Sequence, residues 1–564
     1  MFTSFRQRSF FYSRFLKCYF SFSVLKFYQL TFISLIIVFS NLSAQIQVGD
    51  TLQFWSVSYI DWQPGTAPQQ RLISADCQLV NDSCYVFVDL SITQPPSQLQ
   101  LIAMALQFDT LISKNLSPLY GPIPDEIDQD RRVFILIIPS EGWTGYFDPA
   151  QEMADSVVFQ RWGKHSSERE IIYISVDAFL YNSEIFILVH EFGHMLHWGQ
   201  DHSPEPPLNP EKFWEDAWID EAFAMFAGVF LLEDISLPDL MDYDAFFVSD
   251  PDLSLIHFLT YSSYNQVKLW LTFMYEHYGG TAFVTRLIQE QANGIPGVRN
   301  TLSYLGYNPS FEETFEHWVL TNYLDNEQYL NGYYGYHHYN FLSPYHRAIH
   351  NTFPVTVHYG SLTAFAADYI LCNTTNPAPL EISFQGDSLS CFRLVFILMN
   401  QQGLTLLDIR HTELDSLNRA IFTSDSFGLS YDRLVMVVMN VDSALGENET
   451  AGYTYQIDLT PTPLVEQPAS SADHFLPREL TLYPNYPNPF NPSTTISWQL
   501  AVSNPIKLSI YDLTGKEVAI LANETQTAGF HQITFNTSNL ASGIYIYQLD
   551  AGGFTESRKM FLMR

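Results

Sequence analysis

Positive charge is what this chain has least of. Its 564 residues hold 27 Lys and Arg against 60 Asp and Glu, a formal net charge of −33. A surface so acidic excludes nucleic acid and anionic membranes as partners, because like charges repel. Cysteine is scarce too, at five, and no pair has metal-site spacing. The apolar run Leu30 to Phe39, about ten residues, is too short to span a bilayer comfortably. No other segment reads as transmembrane. No serine or cysteine setting suggests a covalent nucleophile.

What is present reads as a multidomain exported protein. The apolar fraction of 47% is globular, and the length exceeds a single core, so three or four folded units are expected. Thirty prolines and 15% aromatic residues favour β-rich units with many turns. Residues 1–44 carry five basic residues and no acidic one, then the apolar run and Leu42-Ser43-Ala44. This is a signal-peptide pattern with a cut before Gln45. Its removal takes the formal charge from −33 to about −38. Cys18 leaves with it. An even number of cysteines in an exported chain predicts disulfides, here Cys77 with Cys84 and Cys372 with Cys391.

Periodicity divides the rest. Residues 45–115 alternate like short strands, as in Thr51 to Trp55 and Cys84 to Asp89. Val133 to Ile138 and Glu170 to Ile174 read as buried strands, the second as an edge on which an extended peptide could pair. From about 180 to 345 the pattern is helical, and Gln266 to Tyr278 stops at Gly279-Gly280. Period two returns over 346–460, which predicts a β-sandwich. The Pro-containing stretch 461–478 reads as a linker, and 479–564 as a further all-β unit with a hairpin turn at Leu513 to Lys516.

The chemistry concentrates in His190-Glu191-Phe192-Gly193-His194. On a helix, positions four apart share a face, so His190 and His194 can hold one metal ion through imidazole nitrogens. Glu191 projects beside them, where it can take a proton from a metal-bound water and pass it to a leaving amine. Zinc suits two nitrogen ligands and an open position. A metzincin would have glycine at 197 and histidine at 200. The chain has His197 and Gln200 there. The gluzincin arrangement puts a glutamate on a following helix, and Trp218-Ile219-Asp220-Glu221-Ala222-Phe223-Ala224 supplies one. Glu221 is the expected third ligand, with Asp201, His202, Glu215 and Asp216 as competitors, and His197 reads as a supporting histidine.

Two resemblances follow. Val48-Gly49-Asp50, Phe54-Trp55, Phe108-Asp109, Gly145 to Pro149, Ile172 to Ile174, the HEFGH helix, Trp218 to Ala222, Tyr264 and Tyr278-Gly279 together resemble secreted hyicolysin-like metallopeptidases over roughly residues 48 to 345. The resemblance implies an α+β zincin-like module in two parts, 45–115 and 116–345. It implies a zinc endopeptidase acting on protein or peptide substrates, with His190, His194 and Glu221 as ligands, Glu191 as base and Tyr264 donating to the oxyanion. Thermolysin-like gluzincins carry an aspartate four residues after the third ligand. That place is Met225 here, so the zinc histidine must be oriented from elsewhere. The alternative is a catalytically inactive surface-binding or adhesion protein on the same fold. Secondly, Tyr483 to Pro492, Tyr511 to Val518, Leu540 to Tyr545 and Arg558-Lys559 resemble the C-terminal sorting domain of type IX secretion. This implies an Ig-like domain that engages the secretion machinery of a Gram-negative bacterium of the Bacteroidota or a related lineage. The exported protein is expected to be a monomer.

Overall fold

The computed structural model describes residues 46–58, 69–125, 127–140, 143–201, 215–232, 252–258, 260, 262–326, 329–337, 343–400, 405–459, 481–482, 485, 488, 490, 492–500, 503–527, 529–537 and 540–562. The signal peptide, the 461–478 linker and His202 lie outside them. No helix among the described residues is long and apolar enough to cross a membrane.

Six strands build the first sheet: β1 (Thr51–Ser58), β2 (Gln69–Val80), β3 (Cys84–Asp89), β4 (Val133–Ile138), β5 (Gly145–Phe147) and β6 (Ile171–Ser175), in the order β1-β2-β3-β4-β6-β5. β3, β4 and β6 run parallel and are buried along their whole length, which is why their sequences are apolar throughout rather than alternating. Val86, Ile135, Ile137, Ile172 and Ile174 face the helices. Tyr85, Phe87, Phe134, Leu136 and Tyr173 face the other way, where Arg132 and Arg169 lie over the Tyr85 and Phe134 rings at 4.2 and 4.9 Å. The N-terminal strands thus share one sheet with those that follow residue 116.

Two expectations fail here. Residues 98–115 are not strand but helix: α1 (Gln98–Gln107), a π turn at Phe108–Ile112, and α2 (Ser113–Tyr120). A capping box between Ser97 and Gln100 starts α1, and Leu101, Met104, Ala105, Phe108 and Ile112 recur at helical spacing on the buried face. β6 is also not an edge. β4 and β5 flank it, and β5, antiparallel to β6, ends the sheet among the described residues.

The remaining helices are α3 (Asp155–Trp162), α4 (Glu184–Asp201), α5 (Ala217–Leu232), α6 (Ser263–His277), α7 (Thr281–Ile288), α8 (Gly294–Tyr304) and α9 (Phe311–Leu324). α6 ends as its sequence predicts: Gly279 and Gly280 have φ of +117° and +63°, and the Gly280 N–H donates to the Tyr275 carbonyl.

The predicted sandwich has a five-stranded sheet of β7 (Ala348–His350), β9 (Ala366–Asn373), β11 (Phe392–Asn400), β12 (Thr405–Thr412) and β14 (Arg433–Asn440). Its four-stranded partner holds β8 (Val355–Leu362), β10 (Leu380–Gly386), β13 (Arg419–Ser424) and β15 (Ala451–Leu459). The larger sheet is covered on both sides. Ile370, Phe396, Leu434 and Met436 fill the sandwich, while Tyr369, Leu371, Val395, Ile397, Val435 and Val437 join the core of the helices. Phe365 meets Phe311 and Phe315, and the Tyr369 hydroxyl donates to the Val319 carbonyl at 2.9 Å.

The final unit stacks β16 (Thr481–Leu482), β17 (Ser493–Leu500) and β20 (Gly529–Asn536) on β18 (Asn504–Asp512), β19 (Glu517–Gln526), β21 (Gly543–Ala551) and β22 (Phe554–Leu562). The alternating Ile496, Trp498, Leu500 and Ile506, Leu508, Ile510 are its core. Asp512 accepts from the Thr514 and Lys516 N–H groups in the predicted hairpin turn.

The expected disulfides are absent. All four cysteines are free thiols. Cys77 and Cys84 sit on opposite faces of their sheet, one in each apolar cluster. Cys372 lies opposite Leu434 on β14, whereas the Cys391 carbonyl accepts from Val441 beyond that strand's other end. Seven residues of extended strand is roughly 24 Å, far outside disulfide reach.

Candidate metal centre

α4 carries the HEFGH segment across the end of the sheet. Its N-terminal half packs on β5, where a Cβ on Gly145 would collide with Ile187 and stand 3.7 Å from Glu191 Cγ. α5 lies alongside, and the approach needs small residues. A Cβ on Gly193 would stand 3.1 Å from Ala224 Cα and 3.4 Å from Ala227 Cβ. This contact sets Glu221, one turn before Ala224, against the two histidines.

Three atoms converge. His190 Nε2 and His194 Nε2 are 3.2 Å apart, and Glu221 Oε2 is 3.3 and 3.5 Å from them. Donors bound about 2.0–2.1 Å from one ion at tetrahedral angles stand about 3.3–3.4 Å apart, so these residues fit a zinc-sized cation. Electrostatics agree. Burial works against the Glu221 carboxylate, but the charges and hydrogen bonds of His194 and His190 bring it down to about 2. Burial opposes a charge on His194 as well, and Asp220 and Glu221 overcome it, raising the imidazole well above its usual range. The carboxylates Asp220 and Glu221 therefore favour positive charge at the histidine pair.

Glu191 is buried beside them. Burial pushes its carboxyl up from the ordinary range, with His190 and His194 opposing. A raised carboxylate is a better base near neutral pH. Tyr264, at the start of α6, has its ring 6.0 Å from that of His190 and meets Phe258 edge-on at 4.8 Å. All five predicted residues thus gather in one place.

Asp220 is the residue that sequence reasoning missed. Its Oδ2 is 3.0 Å from His194 Nδ1, and its Oδ1 accepts from His197 Nδ1 at 2.7 Å. One carboxylate thus hydrogen-bonds His197 and stands against the candidate ligand His194, beside the place left open by Met225. Its position just before Glu221 was the available signal. Among the competitors for third ligand, Asp201 and Glu215 gather instead around His197.

Residues 485–563 match the secretion system C-terminal sorting domain family. The chain therefore carries a type IX sorting domain, which engages that export machinery and addresses the protein to the cell surface or beyond in Bacteroidota. No curated protein sequence matches the chain. Solved structures give faint likenesses. The pre-peptidase C-terminal domain of a Bacillus anthracis collagenase is 13% identical over 20% of this chain and 94% of that one, with a TM-score of 0.15. PorZ, a surface component of the type IX secretion system of Porphyromonas gingivalis, is 19% identical over 15% and 11%, with a TM-score of 0.12. Latent PorU from the same organism is 15% identical over 33% and 18%, with a TM-score of 0.15. At these scores none carries an argument about activity.

Proposed function

We propose that the protein is a secreted zinc endopeptidase of the gluzincin type, resembling hyicolysin-like enzymes. The observation that carries this reading is the convergence of His190 Nε2, His194 Nε2 and Glu221 Oε2 at tetrahedral spacing beside the buried Glu191. Zinc held there supplies a Lewis acid that activates water and polarises a carbonyl. The chain's own residues do the rest. β5 ends the sheet among the described residues, next to α4, and its outer edge offers an extended peptide backbone hydrogen bonds. Glu191 takes the proton of the attacking water and delivers it to the leaving amine. The Tyr264 hydroxyl donates to the oxygen on which charge develops.

The inactive-scaffold alternative drew support from Met225, where an orienting aspartate was expected. Asp220, 3.0 Å from His194 Nδ1, offers another carboxylate for that place and so favours the enzyme reading. The test uses the full exported chain with casein as substrate. Hydrolysis should be abolished by a chelator and restored by ZnCl2. Glu191→Gln should keep its zinc and lose about 10²–10⁴-fold in turnover, because an amide cannot accept the proton. A metal-loaded wild type without hydrolysis of casein or a broad peptide library would favour the binding-protein reading.

A further inference from the structure

One turn beyond His194, a second group of metal-ligating side chains gathers where no catalytic role calls for it. A ring nitrogen of His197 and one carboxylate oxygen each of Asp201 and Glu215 lie within 4.8 Å of one another. His197 is only 2% exposed. Its Nδ1 donates to Asp220 at 2.7 Å, so Nε2 is the nitrogen left to face the group. That atom is buried and has no hydrogen-bond partner among the described residues. Glu215 is held in place by the Asp216 and Gly294 N–H groups, both donating to Oε1.

An imidazole that gives its Nδ1 proton to a carboxylate presents a lone pair at Nε2. Here two further carboxylates lie within 4.8 Å of a ring nitrogen, an arrangement that positive charge among them stabilises. A proton on Nε2 would need an acceptor within hydrogen-bond reach, and there is none among the described residues. A metal ion requires only that the donors surround it at bonding distance. The arrangement also repeats the one at the first centre, where Asp220 stands behind His194 and leaves Nε2 to the candidate ion.

We propose that His197, Asp201 and Glu215 form a second divalent-cation site, separate from the His190–His194–Glu221 centre. One imidazole and two carboxylates suit Zn2+ or Mn2+. Ca2+ is disfavoured, since it takes six to eight oxygens. The ion ties the last turn of α4, which carries Asp201, to Glu215 just before α5. It holds together the two helices that bear the first centre, with Asp220 of α5 touching a histidine of each metal group, His194 and His197.

The test is a zinc count on the full chain, stripped with EDTA, reloaded with ZnCl2 alone and desalted. The wild type should retain two zinc ions. Asp201→Asn and Glu221→Gln should each retain one, and the double variant none. Far-UV circular dichroism checks folding, and His197→Gln is read instead if Asp201→Asn fails it. One zinc in the wild type, lost in Glu221→Gln and kept in Asp201→Asn, overturns the second site and leaves the peptidase reading intact. Two zinc ions persisting in Asp201→Asn overturn it as well. One zinc lost only in Asp201→Asn supports the second site and sinks the first.

Discussion

Asp220 shows how much a single side chain can govern when two histidines lean on it. Replacing it with asparagine keeps the shape but removes the charge that favours His194 and His197 in their present orientation. Asp220→Asn should therefore weaken zinc binding about 10–100-fold, read by competition with a chromophoric chelator, while secondary structure is unchanged. Unaltered affinity would mean that the aspartate is a bystander. The thiols allow a second residue-scale prediction. Burial pushes Cys77 up to about 11 and Cys84 and Cys372 up to about 12, so they are poor nucleophiles. Denatured under non-reducing conditions, the exported protein should titrate four free thiols with a chromogenic disulfide reagent. A count of zero or two would restore one or both bridges. Sequence reasoning singled out His190 and His194 because their spacing lies within one helix, and Glu221 because its small neighbours announced a close helix; the structure brings the three side chains together. It missed Asp220 because which face an acidic residue takes depends on packing. It mispaired the cysteines because proximity in sequence says nothing about which face of a sheet each occupies.

At the scale of elements, the contact between α4 and α5 decides the site. Gly193→Ala should gain about 1 kcal/mol in helix propensity. It should lose about 1–3 kcal/mol to overpacking against Ala224, so global stability should fall by a net of about 0–2 kcal/mol. Zinc affinity should fall about tenfold (1.4 kcal/mol), because the backbone that must give way carries Glu221. Gly228→Ala on α5, the helix that carries Glu221, meets only the Phe186 ring, at 3.3 Å, and should leave affinity untouched. Equal effects from the two substitutions would show that the close approach does not position the ligand. Continuous apolar strands such as β4 and β6 were legible as buried segments, whereas β14, buried on both faces, was read as alternating. The partners of β6 were not legible, since a three-residue strand such as β5 leaves almost no periodic signal. α1 was misread because its capping box was overlooked among neighbouring strands.

For the whole molecule, the sorting domain has its own apolar core, separate from those of the preceding units. Within its entry motif, Asn485 donates to Thr494 Oγ1 at 2.9 Å, and Asn488 accepts from the Phe561 N–H at 2.8 Å, joining the first residues to the last strand. It touches the helical unit where the Tyr307 hydroxyl donates to the Asn488 carbonyl and Phe561 lies over Gly306. A domain with its own core should be dispensable for the fold of the rest. A chain lacking 479–564 should fold and hydrolyse casein like the full protein but remain in the periplasm of a type-IX-competent host. Recovery outside the cell at normal levels, by fractionation, would remove the sorting role. Loss of activity in the purified truncation would make the domain part of the catalytic unit. The five-stranded sheet sets the opposite rule at its own boundary. Because β9, β11 and β14 give one face to the helices and the other to β10 and β15, a cut near residue 345 would leave two raw hydrophobic surfaces rather than two domains. A chimera maker can transplant this protein only as one block ending after Leu459, and heat should melt that block in one step.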